Sequence, residues 1–219
     1  MLASQLIQQT FPVLQLTDKV AFALQLMDEY DVQHLPIINE EKLVGSVAKS
    51  DLLDEDEDHT LVTLEDSFIK VSIKKEEFIL SALKLVAENE LSVLPVINEV
   101  DDYVGAISTN ILIQNLSKFL GTNEPGGTIV LEVERRNFSF GEISRLVETN
   151  DAYITQLNTY TETETGLVIV SIKINKIEIS DILATFQRYD YVIRYYFGEE
   201  QFANELKENY NHLMTYLNL

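Results

Sequence analysis

The sequence contains no cysteine. That absence excludes disulfides, thiolate catalysis and cysteine-ligated metals, and it suits a reducing compartment. Basic residues are scarce, with 16 Lys and Arg against 36 Asp and Glu, for a formal charge of −20. Such a chain cannot neutralise a phosphate backbone, where most nucleic-acid affinity originates. An anionic membrane surface would also repel it. Neither nucleic acid nor membrane is expected as a partner. No apolar run approaches the length of a membrane span. The stretch Met1 to Leu16 carries no basic residue ahead of its apolar positions and is broken by Pro12, so no secretory signal is expected and a cytoplasmic location follows. A Cys–His pair, Gly-x-Ser-x-Gly, His-Glu-x-x-His and a phosphate-cradling glycine loop are all missing. No catalytic residue and no metal site is assigned.

What the chain does have is a repeat. Leu35-Pro36-Ile37-Ile38-Asn39-Glu40 returns as Leu94-Pro95-Val96-Ile97-Asn98-Glu99. Each copy leads into a Val-Gly run, Val44-Gly45-Ser46-Val47 and Val104-Gly105-Ala106-Ile107, with one residue inserted in the second turn. Upstream, Val20, Ala23, Leu24 and Met27 match Ile79, Ala82, Leu83 and Val86, all at helical spacing. Thr17 or Asp18 is the expected cap of the first helix. Proline cannot donate a ladder hydrogen bond, so Pro36 and Pro95 are expected at a strand start or edge. Each copy reads as a short lead strand (Val13 to Leu16; Ile69 to Ile73), a helix, two strands and a closing helix near Ser50 or Thr109. A duplicated unit packs its halves together and leaves a cleft between them.

The ordered set of apolar helix, Leu-Pro, turn, Gly run and closing helix, occurring twice, resembles a tandem CBS-domain pair. The resemblance covers residues 1–120, with copy one at 1–60 and copy two at 61–120. In nucleotide-binding CBS pairs the pattern Gly-h-h-(Ser/Thr)-x-x-Asp places a carboxylate on both ribose hydroxyls and a hydroxyl on phosphate, with adenine between apolar strands. Carried over, this implies a ligand site from Asp51, Lys49, Pro36, Ile37, Pro95, Val96, Ser108 and Thr109. AMP, ADP, ATP or S-adenosylmethionine would be the regulatory ligand. The first copy has Ala48 at the hydroxyl position and keeps Asp51; the second keeps Ser108 and has Ile111 at the acid position. The site holding Asp51 is the preferred one. Asp51 also reads as a helix-start residue, and Lys49 is the one basic residue in either motif.

The acidic run Asp54 to Asp58, with Glu65, falls at the spacing of calcium-loop ligands, but His59 takes the place that needs glycine. It reads as a solvated connector. His34, with no partner in sequence, reads as structural. Residues 121–127 concentrate glycine around Pro125 and read as a linker.

From 128 to 219 the pattern gives strand, helix, two strands joined at Thr161 to Gly166, helix and strand. This βαββαβ order is ferredoxin-like, and after a CBS pair it resembles an ACT domain. The whole, with Pro125-Gly126 between the halves, resembles acetoin-utilisation-type CBS–ACT proteins. Where ACT domains carry Pro-Gly in the first turn, this chain has Arg135 to Ser139, and Arg136 and Asn137 stand at the position that meets a ligand. Phe202 to Leu217 predicts a C-terminal amphipathic helix. The fold class is therefore α/β (α+β). The resemblance implies a homodimeric, non-catalytic regulatory protein that senses a small metabolite between its CBS copies. The alternative is an interaction scaffold whose sites hold no ligand.

Overall fold

The computed structural model describes residues 1–8 and 10–198. The amphipathic segment predicted at 202–217 lies outside the described residues. The chain divides into two compact units, Met1–Thr122 and the part from Asn123 on.

In the first unit, copy one consists of β1 (Leu14–Gln15), α1 (Val20–Glu29), β2 (His34–Asn39), β3 (Lys42–Ala48) and α2 (Lys49–Leu53). Copy two repeats it as β4 (Ile73–Lys74), α3 (Ile79–Glu88), β5 (Val93–Ile97), β6 (Tyr103–Ser108) and α4 (Thr109–Phe119). Each forms a three-stranded sheet whose middle strand pairs parallel to the lead strand and antiparallel to the last. Val20, Ala23 and Met27 of α1, and Ile79, Ala82 and Val86 of α3, are buried as their spacing requires.

Two local expectations are corrected. The N-cap of α1 is Lys19 and makes no side-chain cap bond, while Asp18 instead accepts the Gln15 N–H. The free N–H groups of Val20 and Ala21 are taken by the carbonyls of His59 and Glu57. The acidic connector thus closes a helix end with its backbone, and Asp58 pairs with Lys19 at 2.7 Å. The prolines lie inside the central strands β2 and β5, not at a start or edge. Pro36 faces Ser46, whose own backbone groups bond to Ile69 on the far side. The nitrogen of Pro36 therefore points toward the lead strand, which begins pairing only at Ile37. Pro95, opposite Ala106 and ahead of Val96, repeats the arrangement. A missing N–H costs nothing where no acceptor stands.

The lead-ins cross between copies. Gln8, ahead of copy one, bridges to Ala106 of copy two; Ile69, ahead of copy two, bridges to Ser46 of copy one. Ala3 and Leu6 accordingly sit in the core of copy two, and Val93 and Ala106 in that of copy one. The repeated glycines make the crossing fit. A Cβ on Gly105 would lie 2.3 Å from Ile7 Cγ2 and 3.1 Å from the Gln8 carbonyl oxygen, and its φ is +141°. A Cβ on Gly45 would meet Phe68 Cβ at 3.0 Å.

The second unit consists of β7 (Gly127–Val133), α5 (Phe140–Glu148), β8 (Ile154–Thr161), β9 (Val168–Ile174), α6 (Ser180–Arg188) and β10 (Val192–Phe197). Its antiparallel sheet has the order β10-β7-β9-β8, the split βαβ arrangement. Ile143, Leu146 and Val147 of α5 and Ile182, Leu183 and Phe186 of α6 cover one sheet face, built by Ile129, Leu131, Val170 and Ile172.

Gly105→Ala is expected to destabilise the protein by about 1–3 kcal/mol, the scale for an L-residue forced into a strained backbone region. Gly45→Ala, at a φ open to alanine, should cost less. Urea unfolding checks both; equal midpoints for the two variants would contradict this account of the crossing.

Candidate functional site

The crossing builds a cleft. A cavity of about 560 Å³ is lined by Gln8, Thr10 and Phe11 of the first lead-in, by Tyr30, Asp31 and Val32 after α1, and by Ser92, Ser108, Thr109 and Asn110 of copy two. The Gln8 N–H donates to the Ala106 carbonyl at 2.9 Å, which fixes the lead-in against β6. The Phe11 and Tyr30 rings lie 6.1 Å apart at 56°. Asp31 turns the chain with a φ of 51°. Gln8 Oε1 is buried and has no partner. The lining holds one carboxylate, Asp31, and no basic side chain, so it offers hydrogen bonds and aromatic surface but nothing to neutralise a phosphate tail.

Of the residues expected at the site, this cavity gathers Ser108 and Thr109. Both hydroxyls have structural partners. Ser108 is the N-cap of α4, and its oxygen accepts the Ile111 N–H at 3.4 Å. The Thr109 hydroxyl donates to the carbonyls of Leu91 and Ser92, at 2.9 and 3.0 Å. Its backbone N–H also reaches the Ser92 carbonyl, as that of Lys49 reaches Gln33 in copy one.

Asp51 and Lys49 lie at the equivalent end of copy one. Asp51 is half-buried in the first turn of α2, where the N-cap is Ala48, and Asp51 makes no cap bond. The Ser50 hydroxyl donates to its Oδ1 at 3.3 Å. The Lys49 ammonium is 2.5 Å from the Asp28 carboxylate. Pro36, Ile37, Pro95 and Val96 are buried strand residues, with Ile37 and Val96 fully enclosed.

In the second unit Arg136 is exposed and bonds Glu134 at 2.7 Å. Asn137 lines a different cavity of about 430 Å³, together with Glu132, Glu134, Glu142, Asp190 and Tyr191. Its four carboxylates oppose an amino-acid carboxylate. The Tyr191 hydroxyl donates to Glu142 at 3.3 Å; burial and then that neighbouring charge push the phenol up to about 12. Among the described residues, no group of three or more His, Cys, Asp or Glu could hold a metal ion, and no helix is long and apolar enough to cross a membrane.

Sequence reasoning missed Gln8, Phe11, Tyr30 and Ser92. The signal that could have found Ser92 is the repeat itself, which aligns it with Gln33. Nothing local marks Gln8 and Phe11, because they reach the cleft by crossing to the other copy.

Comparison with known proteins agrees with this geometry. Residues 3–58 match the family model described as CBS domain. A CBS domain pair/ACT domain protein from Thermotoga maritima is 28% identical, with a TM-score of 0.50, over 55% of this chain and 99% of that one. Weaker likenesses include the CBS domains of a transcriptional regulator from Streptococcus pneumoniae (17% identity, TM-score 0.46, 52% of this chain and 98% of that one). Another is CBSX2 in complex with AMP (21% identity, TM-score 0.44, 54% and 97%). At those scores they bring no ligand to this chain. The first unit has the fold of a CBS domain pair.

Ser108→Ala removes the α4 cap and should lower stability by about 0.5–1 kcal/mol, the low end of the N-cap range given the 3.4 Å bond. A urea midpoint equal to that of the parent would show that the cap contributes nothing.

Proposed function

We propose that the protein is a non-catalytic regulatory module in which a small molecule bound between the CBS copies changes how they pack. The observation that carries this reading is the cavity of about 560 Å³ lined by elements of both copies. A ligand there touches the lead-in of one copy and the closing helix of the other, so its binding free energy depends on their relative placement. Only such differential affinity can shift a conformational equilibrium.

An adenosine compound is the ligand class proposed, with aromatic surface from Phe11 and Tyr30 and hydrogen bonds from Asn110 and the Gln8 side chain. The absence of a cation from the lining favours S-adenosylmethionine or AMP over ADP or ATP, since charge-assisted contacts are the strong ones for phosphate. Asp51 and Lys49, with the apolar walls Pro36, Ile37, Pro95 and Val96, are proposed for the equivalent site of copy one. The second unit is read as ACT-like, which the description of the Thermotoga protein as a CBS pair/ACT protein supports. The likeness to acetoin-utilisation-type proteins, homodimerisation and a cytoplasmic location belong to the same reading.

Thermal unfolding of the full chain with millimolar AMP, ADP, ATP, S-adenosylmethionine and amino acids tests this. A ligand that binds the folded state alone raises the melting temperature, and at a hundredfold excess over its Kd it adds about 2.7 kcal/mol. Thr10→Trp, which fills the cavity, should abolish the shift if the ligand sits beside Ser108; Asp51→Ala should abolish it if the ligand sits in copy one. No shift with any compound would leave the interaction scaffold as the better reading.

A further inference from the structure

We propose that His34 and Ser92 form a protonation-sensitive clasp between the two CBS copies, closed only while the imidazole is neutral. His34 opens β2 of copy one, and Ser92 stands just ahead of β5 of copy two. The Ser92 Oγ accepts the backbone N–H groups of both Gln33 and His34, each at 2.9 Å. A hydroxyl has two lone pairs and one O–H, so both acceptor places are filled and the O–H must donate. The acceptor within reach is His34 Nδ1, at 3.2 Å. The backbone N–H of Ser92 points at the same nitrogen, also at 3.2 Å.

Nδ1 accepts the Ser92 backbone N–H, with the Ser92 O–H sharing its one lone pair, so it carries no proton and the ring proton is placed on Nε2. An imidazolium has N–H groups at both nitrogens. Its Nδ1–H would face the Ser92 N–H and an oxygen whose lone pairs are already used. His34 is only 9% exposed, so water cannot readily replace the lost bonds.

The groups packed around the ring oppose its protonation on balance. Burial holds its pKa below the ordinary 6.5, and the Asp51 carboxylate on α2 works against that shift without reversing it. The Lys49 ammonium on the same helix is engaged by Asp28 of α1. β3 presents Ala48 opposite His34, and the Thr109 hydroxyl at the start of α4 is directed to the Leu91 and Ser92 carbonyls. The unfolded chain binds a proton near pH 6.5, whereas the folded one binds it only at lower pH. The stability contributed by the clasp is complete above 6.5 and is lost as the pH falls below it. The clasp is one-sided, because the residues equivalent to Ser92 and His34 are Gln33 and Val93. Ser92 also lines the cleft, so opening the clasp would move a wall of the site; that consequence rests on the ligand reading, whereas the clasp does not.

The experiment is ¹⁵N NMR of the His34 ring, combined with urea unfolding at about pH 7.5 and pH 5.5 for the parent and His34→Val. Valine occupies the equivalent place in copy two, so the fold can accept it. The expected result is a proton on Nε2 at about pH 7.5, a ring that titrates below 6.5, and a parent midpoint that falls toward pH 5.5 by up to the linkage of one proton. The valine variant should lose that difference. A proton on Nδ1, titration at or above 6.5, or an equal fall in the variant would overturn the proposal. If the variant does not fold, the ring titration and tautomer decide it alone.

Discussion

Each copy of the repeat is completed by a segment that belongs to the other, and the first unit depends on that exchange. The lead-in of copy one runs against Gly105, and that of copy two runs against Gly45. Close approach of one backbone to another leaves no room for a Cβ, which is why glycine recurs at this point. From the crossing follow the shared cores, in which Ala3 and Leu6 serve copy two while Val93 and Ala106 serve copy one. The placement of the prolines follows as well. Ser46 and Ala106 turn their backbone groups toward the crossing segments, and this sends the proline nitrogens toward ground that the short lead strands do not reach. Neither copy buries its apolar surface alone, so the two fold as one unit.

The cleft is a product of the same exchange. Its walls come from a lead-in, from the turn after α1 and from the start of α4, and they meet because the lead-in passes from one copy to the other. The two ends of the pair have diverged in how they hold the closing helix. Copy two caps it with Ser108 and ties it to the preceding loop through Thr109; copy one has Ala48 and Lys49 at those places, with Lys49 drawn to Asp28. Ser108 and Thr109 are thus part of the framework of the cleft as well as candidates to touch a ligand.

Much of the fold was legible in the residues. Helical spacing located α1 and α3, and a β-branched run together with Gly-containing polar turns located strands of the second unit. The errors share one cause. Thr17 and Asp18 looked like caps because they precede a helix, yet carbonyls of the acidic connector, far along the chain, take that role. Pro36 and Pro95 looked like edge residues because proline weakens a ladder, yet their nitrogens face positions with no strand beside them. Ser108 is not among these errors: it lines the cleft, and its oxygen also accepts a helix N–H that its place in the motif does not announce.

The sequence by itself determined the duplication, the apolar faces that make the copies pack, the mixed α/β class and the excess of acidic over basic residues. These are properties of residue type and spacing, and they survive whatever the chain does at long range. Tertiary structure alone decided which side chains share the cleft, which polar groups are already satisfied and where the copies are joined. Gln8, Tyr30, Ser92 and Asn110 stand far apart along the chain and meet only through the crossing. His34 looked solitary until the fold placed Ser92 from the other copy against its ring. Hydrogen-bond partners of this kind are set by geometry in three dimensions, and no local pattern in the chain encodes them.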